Sequence, residues 1–105
     1  MERERRRTPR YVFFASAELW EEKSEARVVS RVSELGLYGC YLDMMNPFPQ
    51  HTLLRLKITA GDLEFQTKAK VVYSTPNVGA GVMFLDVEPK HDYILRLWLE
   101  QAAKG

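Results

Sequence analysis

Apolar and polar side chains alternate along much of this chain, and the apolar spacing becomes helical near the C-terminus. Between residues 54 and 59, and again between 65 and 73, the alternation has the two-residue period of a half-buried strand. From Pro89 onward the apolar residues recur instead at helical spacing, as Ile94, Leu97 and Trp98, and Pro89 suits the start of a helix. These periods predict a β-rich domain that ends in one helix.

Four further apolar segments complete the predicted set of six strands. Residues 11–20 place alternate apolar side chains on one face, and residues 65–73 do the same with Phe65, Thr67, Ala69, Val71 and Tyr73. Pro47 and Pro49 cannot continue a sheet, because proline donates no ladder hydrogen bond. Further strands are predicted around residues 28–32, 40–42 and 81–85. Six strands followed by a helix predict a small antiparallel barrel or sandwich on which the helix packs.

Length and composition indicate one domain with a single core. The chain has 105 residues, 46% of them hydrophobic and 28% charged, which is typical of a globular protein. We predict a flexible arm over residues 1–10 and one domain over 11–105, with strands over about 11–87 and the helix over about 89–103. No apolar run reaches the roughly 20 residues that span a bilayer, and the N-terminus has no apolar signal segment. The single cysteine, Cys40, fits a reducing compartment, so we expect a cytoplasmic protein.

The first ten residues are strongly basic. They carry five arginines, Arg3, Arg5, Arg6, Arg7 and Arg10, against two glutamates, in a chain whose net charge is only +1. The rest of the chain is therefore slightly acidic. Guanidinium groups bind phosphates and guanine edges in bidentate fashion, so this arm predicts an anionic partner.

The order of these features resembles the PilZ domain family, the bacterial receptor domain for cyclic di-GMP. That family begins with an arginine motif, RxxxR and often RRxxxR, and Arg5-Arg6-Arg7-Thr8-Pro9-Arg10 matches it with Arg6 and Arg10 as the spaced pair. Residues 79–84, Gly-Ala-Gly-Val-Met-Phe, resemble the GxGVxF strand near the end of the family, and a closing helix follows. The resemblance covers essentially the whole chain. It implies a six-stranded antiparallel β-barrel of the split-barrel type with a C-terminal α-helix.

The second family motif, [D/N]xSxxG, is altered here and allows two alignments. The first covers residues 31–36, which keeps Ser33 and a final glycine but puts Arg31 at the acidic position. The second covers residues 34–39, which keeps an acid, Glu34, and a final glycine, Gly39, but replaces the serine by Gly36. We prefer the second, because a strand and a Pro-x-Pro loop follow Gly39 at the family's usual spacing.

The resemblance implies a role for each matching residue. Cyclic di-GMP offers two phosphates and two guanines, so arginines suit the phosphates and the O6/N7 edge, and a carboxylate suits the N1–H and N2–H₂ edge. Arg5, Arg6 and Arg10 would clamp phosphate and guanine, Glu34 would take the acidic position, and Gly36 and Gly39 would let the backbone approach the ligand. The resemblance implies a receptor that does no chemistry, needs no cofactor or metal, and signals to an unidentified protein when its arm orders on the ligand. The missing hydroxyl predicts weakened binding.

Two rival functions remain open on the sequence. One is a protein-interaction adaptor that has lost the nucleotide, which the altered motif favours. The other is a nucleic-acid-binding barrel, which would have a basic groove on the barrel itself. The basic residues of this chain are instead concentrated in the arm, which argues against that function. Among the remaining residues, Cys40 reads as a small core residue, and the acids near the helix start suit the helix dipole. Trp20 and Trp98 read as packing residues, although a Trp exposed at a sheet surface also serves partner proteins.

Overall fold

Six antiparallel strands and one helix make up the protein in the computed structural model, which describes residues 9–105. The elements are β1 (Arg10–Glu21), β2 (Arg27–Gly36), β3 (Gly39–Asp43), β4 (Leu53–Ala60), β5 (Leu63–Thr75), β6 (Gly79–Leu85) and α1 (Pro89–Lys104). The predicted barrel with its C-terminal helix is confirmed. Its strands close in the order β1-β2-β3-β6-β5-β4, with β4 pairing back to β1. The pairing that closes the barrel joins Ser16–Glu21 of β1 to β4.

The strand alternation places the core inside the barrel. Leu54, Leu56 and Ile58 of β4 are almost fully buried, while the residues between them face outward. Ala17 and Leu19 of β1 point into the same core. Burying each large apolar side chain stabilises the fold by about 1.5–3 kcal/mol.

The prediction for β5 is wrong at Tyr73, which was placed on the inner face with Phe65. Val71 pairs with Val82, but Tyr73 pairs with Gly81, so β5 has one extra residue between two successive partners. Such a bulge shifts the following side chains to the other face of the sheet. Tyr73 is therefore on the outside of the barrel, with 41% of its surface exposed.

The helix packs against β1 and β5. Trp98 is 3% exposed and lies against Phe13 of β1, with a ring-centroid distance of 5.3 Å. Leu95, which the predicted apolar stripe did not include, is fully buried. At the start of the helix, Nδ1 of His91 accepts a hydrogen bond of 3.0 Å from the backbone N–H of Gln66, so this histidine has a structural role. Over residues 9–105, no helix is long and apolar enough to cross a membrane.

Candidate ligand-binding face

Arg10, the last arginine of the motif, is the first residue of β1 rather than part of a separate arm. It pairs with Gly36 at the end of β2, and its Nη1 lies 3.9 Å from Oε1 of Glu34. That distance makes an ion pair but not a hydrogen bond. The same Nη1 is buried and forms no hydrogen bond with any residue from 9 to 105. A buried charged donor is thus left with capacity for another partner.

One cross-strand row leads from Arg10's partner over the outer face of the barrel. Glu34 of β2 is opposite Tyr41 of β3, Tyr41 is opposite Gly81 of β6, and Gly81 is opposite Tyr73 of β5. Directly opposite residues point to the same side of a sheet, so these side chains share one surface. We call Glu34, Tyr41, Gly81 and Tyr73 the outer row.

The two tyrosines of the outer row lie against glycine backbone. A Cβ atom on Gly81 would overlap the ring of Tyr73, and one on Gly79 would lie 2.9 Å from both Cε2 and the hydroxyl oxygen of Tyr41. The ring centroids are 6.1 Å apart, within the range of aromatic pairs. The glycines of the GxGVxF strand therefore make room for an aromatic surface.

The environment of Tyr41 disfavours ionisation of its hydroxyl. Desolvation raises the pKa of Tyr41 most, and the neighbouring Tyr73, Asp43 and Glu34 raise it further. Its phenol therefore stays protonated at neutral pH and remains a hydrogen-bond donor.

Gly36 provides space for the arginine motif. A Cβ atom at this position would lie 3.1 Å from Cγ of Arg10 and 3.3 Å from the carbonyl oxygen of Pro9. The space that a side chain would fill is thus occupied by the end of the arginine motif. The glycine lets the arginine motif approach β2, and the approach of its backbone to the ligand stays a prediction.

Gly39 also has a structural reason to be glycine, and its role at the ligand stays a prediction. A Cβ atom at this position would overlap the carbonyl oxygen of Val82 in β6. Gly39 is buried at the start of β3, where it pairs with Met83. The close approach at Gly39 is between two strands of the barrel.

Arg31, the acidic position of the rival alignment, is paired elsewhere. Its Nε and Nη2 donate hydrogen bonds of 3.1 and 2.8 Å to Oδ2 of Asp43, and its guanidinium lies 4.8 Å from the ring centre of Phe14. Ser33, the serine of that alignment, donates to Oδ1 of the same aspartate at 3.0 Å. These side chains already satisfy each other, whereas Glu34 is the acid that Arg10 reaches.

Cys40 lies in the core beneath the outer row, as predicted. It is fully buried, and burial raises the pKa of its thiol to about 12, although the nearby Arg10 charge acts in the opposite direction. A thiol with this pKa is inert at neutral pH.

The fold defines a small antiparallel β-barrel domain that ends in one helix. The chain belongs to the PilZ domain family, whose family model matches residues 4–101. The match includes Arg5 and Arg6, which lie outside the residues that the structure describes. A comparison with curated proteins gives no significant match.

Solved structures share this fold at low sequence identity. The PilZ domain of YcgR from Escherichia coli, solved with cyclic di-GMP, is 14% identical, with a TM-score of 0.76 over 95% of this chain and 92% of that one. The PilZ domain of CeSA from a cellulose-synthesizing bacterium is 14% identical, with a TM-score of 0.69 over 89% of this chain and 97% of that one. The Bacillus subtilis inhibitor of motility, MotI/DgrA, is 14% identical, with a TM-score of 0.74 over 95% of this chain but 52% of that one.

Proposed function

We propose that this domain is a non-catalytic receptor for cyclic di-GMP. The observation that carries the proposal is the position of Arg10, whose buried Nη1 has no hydrogen-bond partner within residues 9–105 while its charge faces Glu34. An arginine and a carboxylate side by side match the two hydrogen-bonding edges of guanine. Family membership and the likeness to a PilZ domain solved with this nucleotide support the same ligand.

The outer row supplies a surface that suits a guanine base. The side chain of Tyr41 is next to Glu34 along the row, and the ring of Tyr73 lies 6.1 Å from that of Tyr41. Base–aromatic stacking contributes about 1–3 kcal/mol per base. One guanine would stack on this surface while its N1–H and N2–H₂ donate to the carboxylate of Glu34.

The phosphates would be held by the arginines of the motif. Arg5 and Arg6 precede Arg10, and a guanidinium binds a phosphate through two parallel charge-assisted hydrogen bonds. The arm would order over the ligand and present a new surface to a partner protein. The domain would bind the nucleotide without transforming it and without a cofactor.

Calorimetric titration of the full chain with cyclic di-GMP tests the proposal. A micromolar dissociation constant, about −8 kcal/mol, is expected, with GMP binding far more weakly because it lacks the second phosphate and the second base. Absence of binding would instead favour the adaptor that has lost its nucleotide. That alternative has one observation in its favour, the glycine at position 36 where the family has a hydroxyl.

Substitution of single arginines should weaken binding and reduce its dependence on salt. Arg10→Ala and Arg6→Ala are each expected to cost about 1–3 kcal/mol of binding free energy, the range for a charge-assisted or bidentate contact. Because these contacts form at a partly exposed surface, wild-type affinity should fall as salt is added, and each variant should show a shallower fall. Titrations at several salt concentrations measure both effects. Arg55→Ala removes an exposed arginine of β4, in grooves that include neither Arg10 nor Glu34, and is the matched control. Affinities that do not respond to either motif substitution would place the site elsewhere.

Restoring the hydroxyl of the second motif should strengthen binding. Gly36 does not have a positive φ, so its backbone conformation accepts a side chain. The Cγ of Arg10 and the carbonyl oxygen of Pro9 must each move by a few tenths of an ångström to make room for it. Gly36→Ser is expected to gain about 0.5–1.5 kcal/mol of binding free energy through one new hydrogen bond. Titration of the variant, with a thermal melt beside it, measures affinity separately from stability.

The rival alignment makes the opposite prediction. There Arg31→Asp should strengthen binding and Gly36→Ser should weaken it. In the structure, however, Arg31→Asp breaks the ion pair with Asp43 and places two carboxylates together, so we expect lower stability and no gain in affinity. Tighter binding by a stable Arg31→Asp protein would overturn our alignment.

A further inference from the structure

A second cross-strand row, on another part of the outer surface, brings three cations around a tryptophan. Arg27 of β2 is opposite Trp20 of β1, Trp20 is opposite Arg55 of β4, and Arg55 is opposite Lys68 of β5. Neighbouring strands are about 4.8 Å apart, so these four residues span about 14 Å. We call Arg27, Trp20, Arg55 and Lys68 the basic row.

Two of these cations are not balanced by acids. Arg27 pairs with Glu18, but Arg55 and Lys68 form no ion pair with any residue of the described range 9–105. Both side chains are exposed, and like charges directly opposite each other on a sheet are destabilising. A local arrangement that disfavours folding is typical of a functional surface.

The basic row also has the shape of a docking surface. It lines a groove of about 820 Å³, which shares Arg55 and Lys68 with a second groove of about 730 Å³ that leads to Lys90 at the start of α1. Neither groove includes Arg10 or Glu34, so this surface is separate from the candidate nucleotide site. The half-buried Trp20 provides a flat apolar anchor between cations.

The acids around the row determine which anion fits. Glu21, Glu22 and Glu25 line one groove away from the row, and Glu64, Asp86 and Glu88 line the other. A long polyphosphate backbone that crossed the row would have to pass these carboxylates, whereas a short acidic segment would end before them. We propose that the basic row is the docking surface for an acidic segment of a partner protein, with one apolar side chain of that segment packed on Trp20.

The test uses the full chain and a fluorescent Glu-rich peptide with a central Phe, compared with the same peptide carrying Lys in place of Glu. Fluorescence anisotropy should show binding of the acidic peptide alone. Arg55→Glu and Lys68→Glu should each weaken it by at least about tenfold, since each reverses a charge at the centre of the row. Lys104→Glu makes the same charge change at the end of α1 and should leave binding unchanged.

Arg55→Glu should weaken peptide binding but raise the stability of the fold, a combination that a purely structural role for Arg55 would not produce. Arg55→Glu converts a like-charged pair with Lys68 into an opposite-charged one, so its melting temperature should rise by about 1–4 °C. Equal binding of the two peptides, or an Arg55→Glu protein that binds as tightly as wild type, would overturn the proposal. So would displacement of the acidic peptide by oligo(dT), because the surface would then bind nucleic acid.

Discussion

Removal of residues 1–8 should weaken cyclic di-GMP binding by roughly 100-fold or more while leaving the barrel folded. The segment carries Arg3, Arg5, Arg6 and Arg7, and the resemblance assigns two of them to the ligand. Two lost charge-assisted contacts, at about 1.5–3 kcal/mol each, reduce affinity by roughly 100-fold or more. The barrel should persist because β1 begins at Arg10. Titration and a thermal melt of the truncated chain measure the two effects.

A matched pair of variants separates the charge of the arm from its guanidinium geometry. Replacing residues 1–8 with a Gly/Ser segment of equal length should lose as much affinity as truncation does. Arg5→Lys together with Arg6→Lys keeps the charge but removes the bidentate fork, and it should fall between wild type and truncation. A truncated protein that binds as well as the full chain would show that Arg5 and Arg6 do not hold the ligand.

The sequence was sufficient to predict the strands because most of them have one buried face. In β4 the alternation of Leu54, Leu56 and Ile58 with polar residues is uninterrupted, and all three are in the core. The choice between barrel and sandwich came from the family resemblance, because a period of two reports which face is buried but not which strands are neighbours.

The two tyrosines of the outer row were missed, and the position of Tyr73 depends on a backbone irregularity. Uninterrupted alternation would place Tyr73 inside the barrel, and only the extra residue in β5 brings it beside Tyr41. A bulge has no reliable signature in a single sequence. The two glycines of residues 79–81, which a pleated strand does not otherwise favour, were the available signal that rings lie on that backbone.

The ion pairs beside the row were likewise beyond the sequence. Arg31 and Asp43 become partners through the pairing of β2 with β3, twelve residues apart in the chain. Sequence spacing alone left Arg31 as a possible motif position. Only the register shows that its guanidinium is already engaged.

Gly39→Ala should destabilise the barrel strongly, by about 3 kcal/mol. The added Cβ would overlap the carbonyl oxygen of Val82, and this neighbour is backbone in a paired strand, so it cannot rotate away as a side chain would. The strands β3 and β6 must separate at their first pair, which weakens the ladder from Gly39 to Asp43. Overpacking of this kind costs typically about 1–3 kcal/mol, and a backbone clash belongs at the upper end. The melting temperature should fall by roughly 12–20 °C.

Gly36→Ala is the matched control, because it belongs to the same motif and adds the same methyl group. Its Cβ would lie 3.1 Å from the flexible side chain of Arg10 and 3.3 Å from the carbonyl oxygen of Pro9, and small shifts relieve both contacts, so we expect a loss of stability below about 1 kcal/mol. The comparison also separates the two roles assigned to Gly39. If Gly39 is there to let the strands meet, the Gly39→Ala protein should be less stable than wild type. At a temperature where the variant is still folded, it should then bind cyclic di-GMP with wild-type affinity. If Gly39 is there to admit the ligand, the variant melts like wild type and loses affinity, and the contact with Val82 would then not explain the glycine.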